Sequence, residues 1–171
     1  TGDYKERAQA LVEAGCTVLC LDVAHGHHVL VKEALGVLRG LFGYSIHLMA
    51  GNVATLEALN DLSSWGADSV RVGVGGGSIC STRIQTGHGI PTFQSVLDCS
   101  DTGRNVKIIA DGGIKNSGDM VKALAAGADA VMVGSLLAGT IESPGNYFIK
   151  DGMQYKTYRG MVSVEAQIDW R

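Results

Sequence analysis

Val70-Arg71-Val72-Gly73-Val74-Gly75-Gly76-Gly77-Ser78-Ile79-Cys80-Ser81-Thr82 begins as a strand and ends as a loop. Val70, Val72 and Val74 alternate as on a pleated backbone, and the glycines at 73, 75, 76 and 77 then break the pattern. Glycine takes positive φ without steric cost and lets a ligand come close to the main chain. The exposed carbonyls and amides of such a loop can ring a cation or cradle an anion. Cys80, Ser81 and Thr82 follow at once. A thiol presented there is a candidate nucleophile, because the thiolate attacks well once a polar setting lowers its pKa. The blander reading makes Cys80 a small buried hydrophobe after a flexible turn, and a glycine run alone is a weak signal.

On either side of this stretch, apolar runs of strand length alternate with helical periodicity. Strands are expected at Thr17–Asp22, Ser45–Met49, Ser69–Gly73, Val106–Ala110 and Ala130–Val133. Between them, Tyr4, Ala8, Leu11 and Val12 recur at helical spacing after Asp3, a candidate N-cap. Val31, Ala34, Leu35 and Leu38 mark a second helix, and Leu56, Leu59 and Leu62 a third beyond Thr55. Ile90 to Cys99 reads as a helix. Ser117 is the expected cap of another, with Met120, Val121 and Leu124 turned inward. Five strands alternating with helices give a parallel α/β architecture. A weak repeat supports it: Gly15, Gly66 and Gly127 each close a helix and precede a strand by a similar interval, and those strands end on Asp22, Gly73 and Gly134. In a (β/α) barrel that carboxyl tip is where ligands and chemistry collect. Periodicity alone would also allow a doubly wound open sheet.

Composition narrows the class. The 171 residues are one domain's worth, 46% hydrophobic, with 24 glycines and only two prolines, which suits many tight strand–helix turns. A net charge of −3 offers nothing to nucleic acid or an anionic membrane, so phosphate binding must be local. Cys16, Cys20, Cys80 and Cys99 lack paired CxxC spacing, and no apolar run approaches a membrane span, so a reduced, cytoplasmic chain is expected. The chain opens Thr-Gly-Asp-Tyr without an initiator methionine, which points to a fragment or a processed product.

Two further strand tips carry chemistry. Asp111-Gly112-Gly113 follows the fourth strand: a carboxylate there can accept from both hydroxyls of a ribose, and the glycines let phosphate reach backbone amides. The plain alternative is an N-cap aspartate with turn glycines. Gly134-Ser135 follows the fifth strand and opens a short helix expected over Leu136–Gly139, and consecutive tips of this kind match the phosphate site barrels build after late strands. His25, His27 and His28 have no further ligand cluster to make them a metal site.

The Val70–Thr82 loop resembles, position for position, the signature of the IMP dehydrogenase and GMP reductase family. The resemblance extends over Asp22 in Leu-Asp-Val-Ala-His-Gly-His, Asn52 in Gly-Asn-Val-Ala-Thr, Ala110–Ile114, Val133–Thr140 with Glu142-Ser143-Pro144-Gly145, and Tyr158-Arg159-Gly160-Met161. It covers essentially the whole chain, and the Ser135–Thr140 and Tyr158–Met161 segments look more like the dehydrogenase than the reductase.

The resemblance implies a parallel (β/α) TIM barrel, of which residues 1–171 would be the C-terminal five-strand portion. The N-terminal strands, the CBS insert, the C-terminal flap and the family's arginine general base would lie outside it. It implies NAD-dependent oxidation of IMP to XMP in guanine nucleotide synthesis. Cys80 would add to C2 of the purine, hydride would pass to NAD, and water would hydrolyse the thioimidate with help from Thr82. The carbonyls of Gly75, Gly77 and Cys80 would hold a potassium ion. Ser78, Asp111, Gly112, Gly113, Gly134, Ser135, Tyr158, Arg159, Gly160 and Met161 would bind the nucleotide. Asp22, Asn52, Gly73, Val74 and Gly75 would face the dinucleotide. A homotetramer is implied, with no nucleic-acid or membrane partner. The alternatives are a GMP reductase, converting GMP to IMP with NADPH, and a non-catalytic purine-nucleotide-binding relative.

Three positions depart from the family pattern. Val162 stands where glycine follows Met161, an expected crowding of the base pocket, and Thr92 follows Pro91 where glutamine is usual. Glu165 lies one position beyond the reductase's catalytic glutamate, so that role is not transferred. A partial barrel exposes sheet edges and apolar surface, so an isolated 171-residue chain is expected to be weakly active or inactive.

Overall fold

A computed structural model describes residues 3–160 and 163–169. Five strands form one parallel sheet in sequence order: β1 (Val18–Asp22), β2 (His47–Val53), β3 (Ser69–Val72), β4 (Lys107–Asp111) and β5 (Ala130–Met132). The connecting helices are α1 (Tyr4–Glu13), α2 (Val29–Phe42), α3 (Leu56–Ser64), α4 (Thr82–Thr86), α5 (Thr92–Ser100), α6 (Ser117–Ala125) and α7 (Ser135–Ala138). After them come an antiparallel hairpin, β6 (Tyr147–Lys150) and β7 (Met153–Lys156), and α8 (Val164–Asp169).

The Gly15, Gly66 and Gly127 repeat is a repeated helix ending. Each glycine follows the last turn at φ +98°, +109° and +108°. Its N–H bonds back to Val12, Ser63 or Leu124, and the next residue's N–H reaches Leu11, Leu62 or Ala123. This paired pattern satisfies the orphan carbonyls of a helix end and requires the left-handed conformation that glycine adopts freely. Two units share a further detail. In Gly66-Ala67-Asp68 and Gly127-Ala128-Asp129, the aspartate carboxylate accepts from the preceding strand, at Leu48 N (2.7 Å) and Ile108 N (2.8 Å). Each helix return is thereby tied to the foot of the sheet.

Alternation then sorts the strands. Leu19, Leu48, Ala50, Val70, Val72, Ile108 and Ala110 lie under the helices in one core with Val31, Leu35, Leu38, Leu59, Leu62 and Val96. Burying a side chain of this size contributes about 1.5–3 kcal/mol relative to exposure. The opposite face carries Asp22, Gly51, Arg71 and Ile109 in lateral register across β1 to β4, with Asp111 two residues further up β4. At the feet of the strands this face opens on a cavity of about 680 Å³, bordered by His47, Ser69, Lys107 and Asp129. The polar groups there are paired, His47 with Ser69 at 2.8 Å and Lys107 with Asp129 at 3.0 Å.

Several local expectations are corrected. The cap of α6 is Asn116, whose side chain accepts from Asp119 N, and Ser117 is the first helical residue. Asp3 precedes α1 without a side-chain cap bond. α5 starts at Thr92, because Pro91 is extended (ψ 122°) and holds Ile90 outside the helix. On α6, Val121 and Leu124 are 64% and 46% exposed, and Ala123 is the buried residue. Helical spacing marks an apolar stripe but does not say which flank the neighbouring helix covers. β2 runs on to Val53, past the expected Met49, with a register shift between Gly51 and Val53. The hairpin had a legible signal: Asp151-Gly152, both at positive φ (52° and 75°), is the two-residue turn that joins twisted strands best.

Candidate active site

The carboxyl ends of β1 to β5 bring together residues far apart in sequence. Gly73 follows β3 at φ +141°, and a Cβ there would collide with the Asp111 carbonyl oxygen. Gly112 (φ +106°) lies equally close to the cysteine loop, since a Cβ on it would stand 2.9 Å from Gly76 Cα. The loop after β3 and the turn after β4 therefore pack backbone against backbone, which only glycine permits. The stem of Arg83 lies against Gly75 on the other side, 2.6 Å from where a Cβ would stand.

Within that loop the Cys80 N–H bonds to the Gly77 carbonyl at 3.1 Å, closing a tight turn. Cys80 is half-buried, and its thiol donates to Thr82 Oγ1 at 3.2 Å, where Thr82 opens α4. The sulfur is thus held on a glycine-braced bend with a hydroxyl beside it. Cys99, by contrast, is fully buried, and burial, with the Asp98 charge adding, pushes its thiol up to about 11. It is an inert core thiol.

Asp111 is half-buried and heavily engaged. Its Oδ2 accepts from Asn52 Nδ2 (2.8 Å), Arg71 Nη2 (2.7 Å) and Arg71 Nε (3.2 Å). Arg71 also reaches Asp22 Oδ1 through Nη1 at 2.7 Å. Burial works against the Arg71 charge, but the hydrogen bond and charge of Asp111, with Cys20 and Asp22, outweigh it and raise its pKa. Asn52 spends its other amide hydrogen on the Gly73 carbonyl (2.8 Å). The Asp22 side chain is 64% exposed, accessible to a ligand despite its ion pair. In sequence Arg71 is one position of the Val70–Thr82 motif, with no role of its own. Its signal was its position, a charged residue on an interior-facing strand between apolar neighbours.

At the β5 tip, a Cβ on Gly134 would stand 3.0 Å from the Tyr158 hydroxyl, and one on Gly160 would stand 3.3 Å from the Ile79 carbonyl. The Tyr158–Gly160 segment therefore runs past both the β5 tip and the cysteine loop. Ser78, Gly113, Ser135 and Arg159 are exposed, and Gly112 is half-buried. Met161 and the neighbouring Val162 lie outside the described residues. His27 pairs with Asp61 at 2.9 Å and stacks on Trp65, while His28 caps α2 by accepting from Leu30 N. Among the described residues no three His, Cys, Asp or Glu side chains converge on a metal position, and no helix is long and apolar enough to cross a membrane.

Parallel strands with covering helices, and a cysteine loop set against acidic and glycine-bearing strand tips, define a (β/α)-barrel portion with a thiol at the end where such barrels bind ligands. Comparison with known proteins gives the lineage. The sequence model of the IMP dehydrogenase / GMP reductase domain matches residues 1–170. The inosine-5'-monophosphate dehydrogenase of Nitrosopumilus maritimus is 48% identical over 169 residues, 98% of this chain and 35% of that protein. That of Staphylococcus aureus strain Mu50 is 55% identical over 166 residues, 96% of this chain and 34% of its own length. A crystal structure of GMP reductase from Trypanosoma brucei, a cysteine-to-alanine variant in complex with guanosine 5'-monophosphate, superposes with a TM-score of 0.94 at 45% identity. It is covered over 98% of this chain and 36% of its own. The chain belongs to the IMP dehydrogenase / GMP reductase family, and it spans about a third of the length of these relatives.

Proposed function

We propose that this chain carries the catalytic strand tips of an NAD-dependent IMP dehydrogenase, oxidising IMP to XMP. The observation that supports it most is the placement of Cys80: half-buried beside Thr82, on a loop whose backbone rests on the Asp111-Gly112 turn. Asp111 accepts from the ribose hydroxyls. Ser78, Gly112, Gly113, Gly134 and Ser135 surround the phosphate with amides and hydroxyls, and Tyr158, Arg159, Gly160 and Met161 bind the nucleotide as well. With the base so fixed, the Cys80 sulfur adds to C2 of the purine, a soft nucleophile on an electron-poor carbon. NAD, when bound along Asp22, Asn52 and the Gly73–Gly75 backbone, supplies the acceptor for the hydride that leaves C2. Thr82 orients the sulfur and then the water that hydrolyses the thioimidate, releasing XMP and restoring the thiol.

The residues suit both implied groups. Asp22 is accessible and acidic, as a ribose diol of a dinucleotide requires. Gly75, Gly77 and Cys80 offer neutral backbone oxygens on one bend, with Gly75 at φ +77°, a donor set for a hard cation such as potassium. That cation would brace the bend that carries the nucleophile. A homotetramer in the cytoplasm completes the reading, the first part open to sedimentation analysis.

A GMP reductase activity is the second reading, favoured by the likeness to the Trypanosoma brucei enzyme. The decisive experiment pairs IMP plus NAD against GMP plus NADPH, followed at the nicotinamide absorbance, with 6-chloro-IMP as a trap that needs no completed turnover. A covalent adduct located at Cys80 by mass is expected even where turnover is weak, and such turnover as there is should reduce NAD with IMP. NADPH oxidation with GMP instead would move the assignment to the reductase. Nucleotide binding without any adduct would leave a non-catalytic sensor.

A further inference from the structure

Arg71, Gly51 and Asn52 together form a device around one oxygen of Asp111. In the sheet register Gly51 lies between Asp22 and Arg71. A Cβ at Gly51 would stand 2.6 Å from Arg71 Cβ, so the missing side chain is the gap through which the arginine lies across the sheet face. From there its guanidinium, on a side chain only 12% exposed, spans Asp22 Oδ1 and Asp111 Oδ2. Asn52, on the shifted register of β2, adds a third donor to the same Asp111 oxygen. All three donors fall on Oδ2, and no described residue donates to Oδ1. A planar, two-armed cation fixes a carboxylate's rotation as a single-point lysine cannot.

We infer that Arg71 is a positioning residue: by holding Asp111 Oδ2 it turns Oδ1 alone toward the ligand and makes the site select for a ribose hydroxyl. The inference rests on the nucleotide-binding reading above and goes beyond it by naming what sets the sugar specificity. A carboxylate with both oxygens free could rotate and accept from water as readily as from a ligand. With one oxygen occupied, it presents a single acceptor in a fixed direction, and a sugar lacking the hydroxyl leaves that acceptor unpaired.

The test measures binding of IMP and of 2'-deoxy-IMP to the whole chain, in the wild type and in Arg71→Gln, Arg71→Lys and Asn52→Ala. The wild type is expected to prefer IMP by about tenfold or more, the usual effect of a hydrogen bond to a charged group. Arg71→Gln should bring that ratio close to one by weakening IMP alone, and Arg71→Lys should do the same while retaining the charge. Asn52→Ala should give an intermediate ratio, and provides a milder variant should loss of the guanidinium unfold the chain. Circular dichroism identifies which variants are folded. Equal weakening of both nucleotides would make Arg71 merely structural and overturn the inference, as would an unchanged ratio. If the wild type bound neither IMP nor GMP, the functional reading itself would fail and take this inference with it. Binding with an undiminished ratio in the variants would leave that reading standing.

Discussion

Gly112 and Gly76 meet with their main chains in contact, a Cβ on the former falling 2.9 Å from the Cα of the latter. This contact sets the height of the cysteine loop over the β4 tip. Any side chain at 112 must push the loop away or distort a backbone already at φ +106°.

Gly112→Ala should therefore lower stability and displace the Cys80 sulfur together. The positive φ and the contact cost about 2 kcal/mol or more, a fall of roughly 4–8 °C in Tm for a chain of this size. Thermal unfolding measures the first effect, and the rate of 6-chloro-IMP addition at Cys80 measures the second. A variant that labels at the wild-type rate would show that the contact does not position the sulfur.

Two substitutions test the proposed roles of Cys80 as nucleophile and Thr82 as its helper. Cys80→Ala should abolish covalent trapping and leave nucleotide binding in place. Thr82→Val removes the acceptor 3.2 Å from the sulfur and should slow trapping by roughly three- to tenfold, the worth of one neutral hydrogen bond, without changing nucleotide affinity. Mass spectrometry against time distinguishes the two.

Cys99 predicts an alkaline weakness. Its thiol is pushed up to about 11 from an ordinary 9.0, so between those values the native state keeps a proton that the unfolded chain has released. Stability then falls as pH rises. The contribution is complete below about pH 9 and gone once pH has passed through 11. Urea midpoints across that range should fall less steeply in Cys99→Val than in the wild type. A thiol reagent should also spare Cys99 in the native protein while reacting with exposed Cys16.

Asp129 behaves in the opposite sense. Partial burial works against its charge, but the Ile108 N–H and the Lys107 ammonium hold its carboxyl below the ordinary 3.8. Its contribution is present above that value and lost as pH falls through the lowered one. Asp129→Asn should thus be somewhat less stable than wild type at neutral pH, and the gap should close in acid. Denaturant midpoints at neutral and strongly acidic pH check this, and a constant gap would contradict it.

Local chemistry settled much of this protein before any contact was known. Glycine ends the three repeated helices because the left-handed turn is cheap only without a Cβ, and those helix ends fix where β1, β3 and β5 begin. Apolar strands between amphipathic helices read as parallel α/β, and the cysteine loop announced itself through its glycines and its order of residues. What the chain order could not carry is which tips meet. Asn52 and Asp111 are 59 residues apart and Arg71 and Asp111 are 40 apart, and alternation assigns each to a face without saying who bridges whom. That choice follows from lateral register: a glycine at 51 leaves the space, and the arginine beside it fills that space by reaching both carboxylates. The exposed flank of α6 has the same origin, since a stripe of apolar residues is written along one helix while its cover is supplied by another.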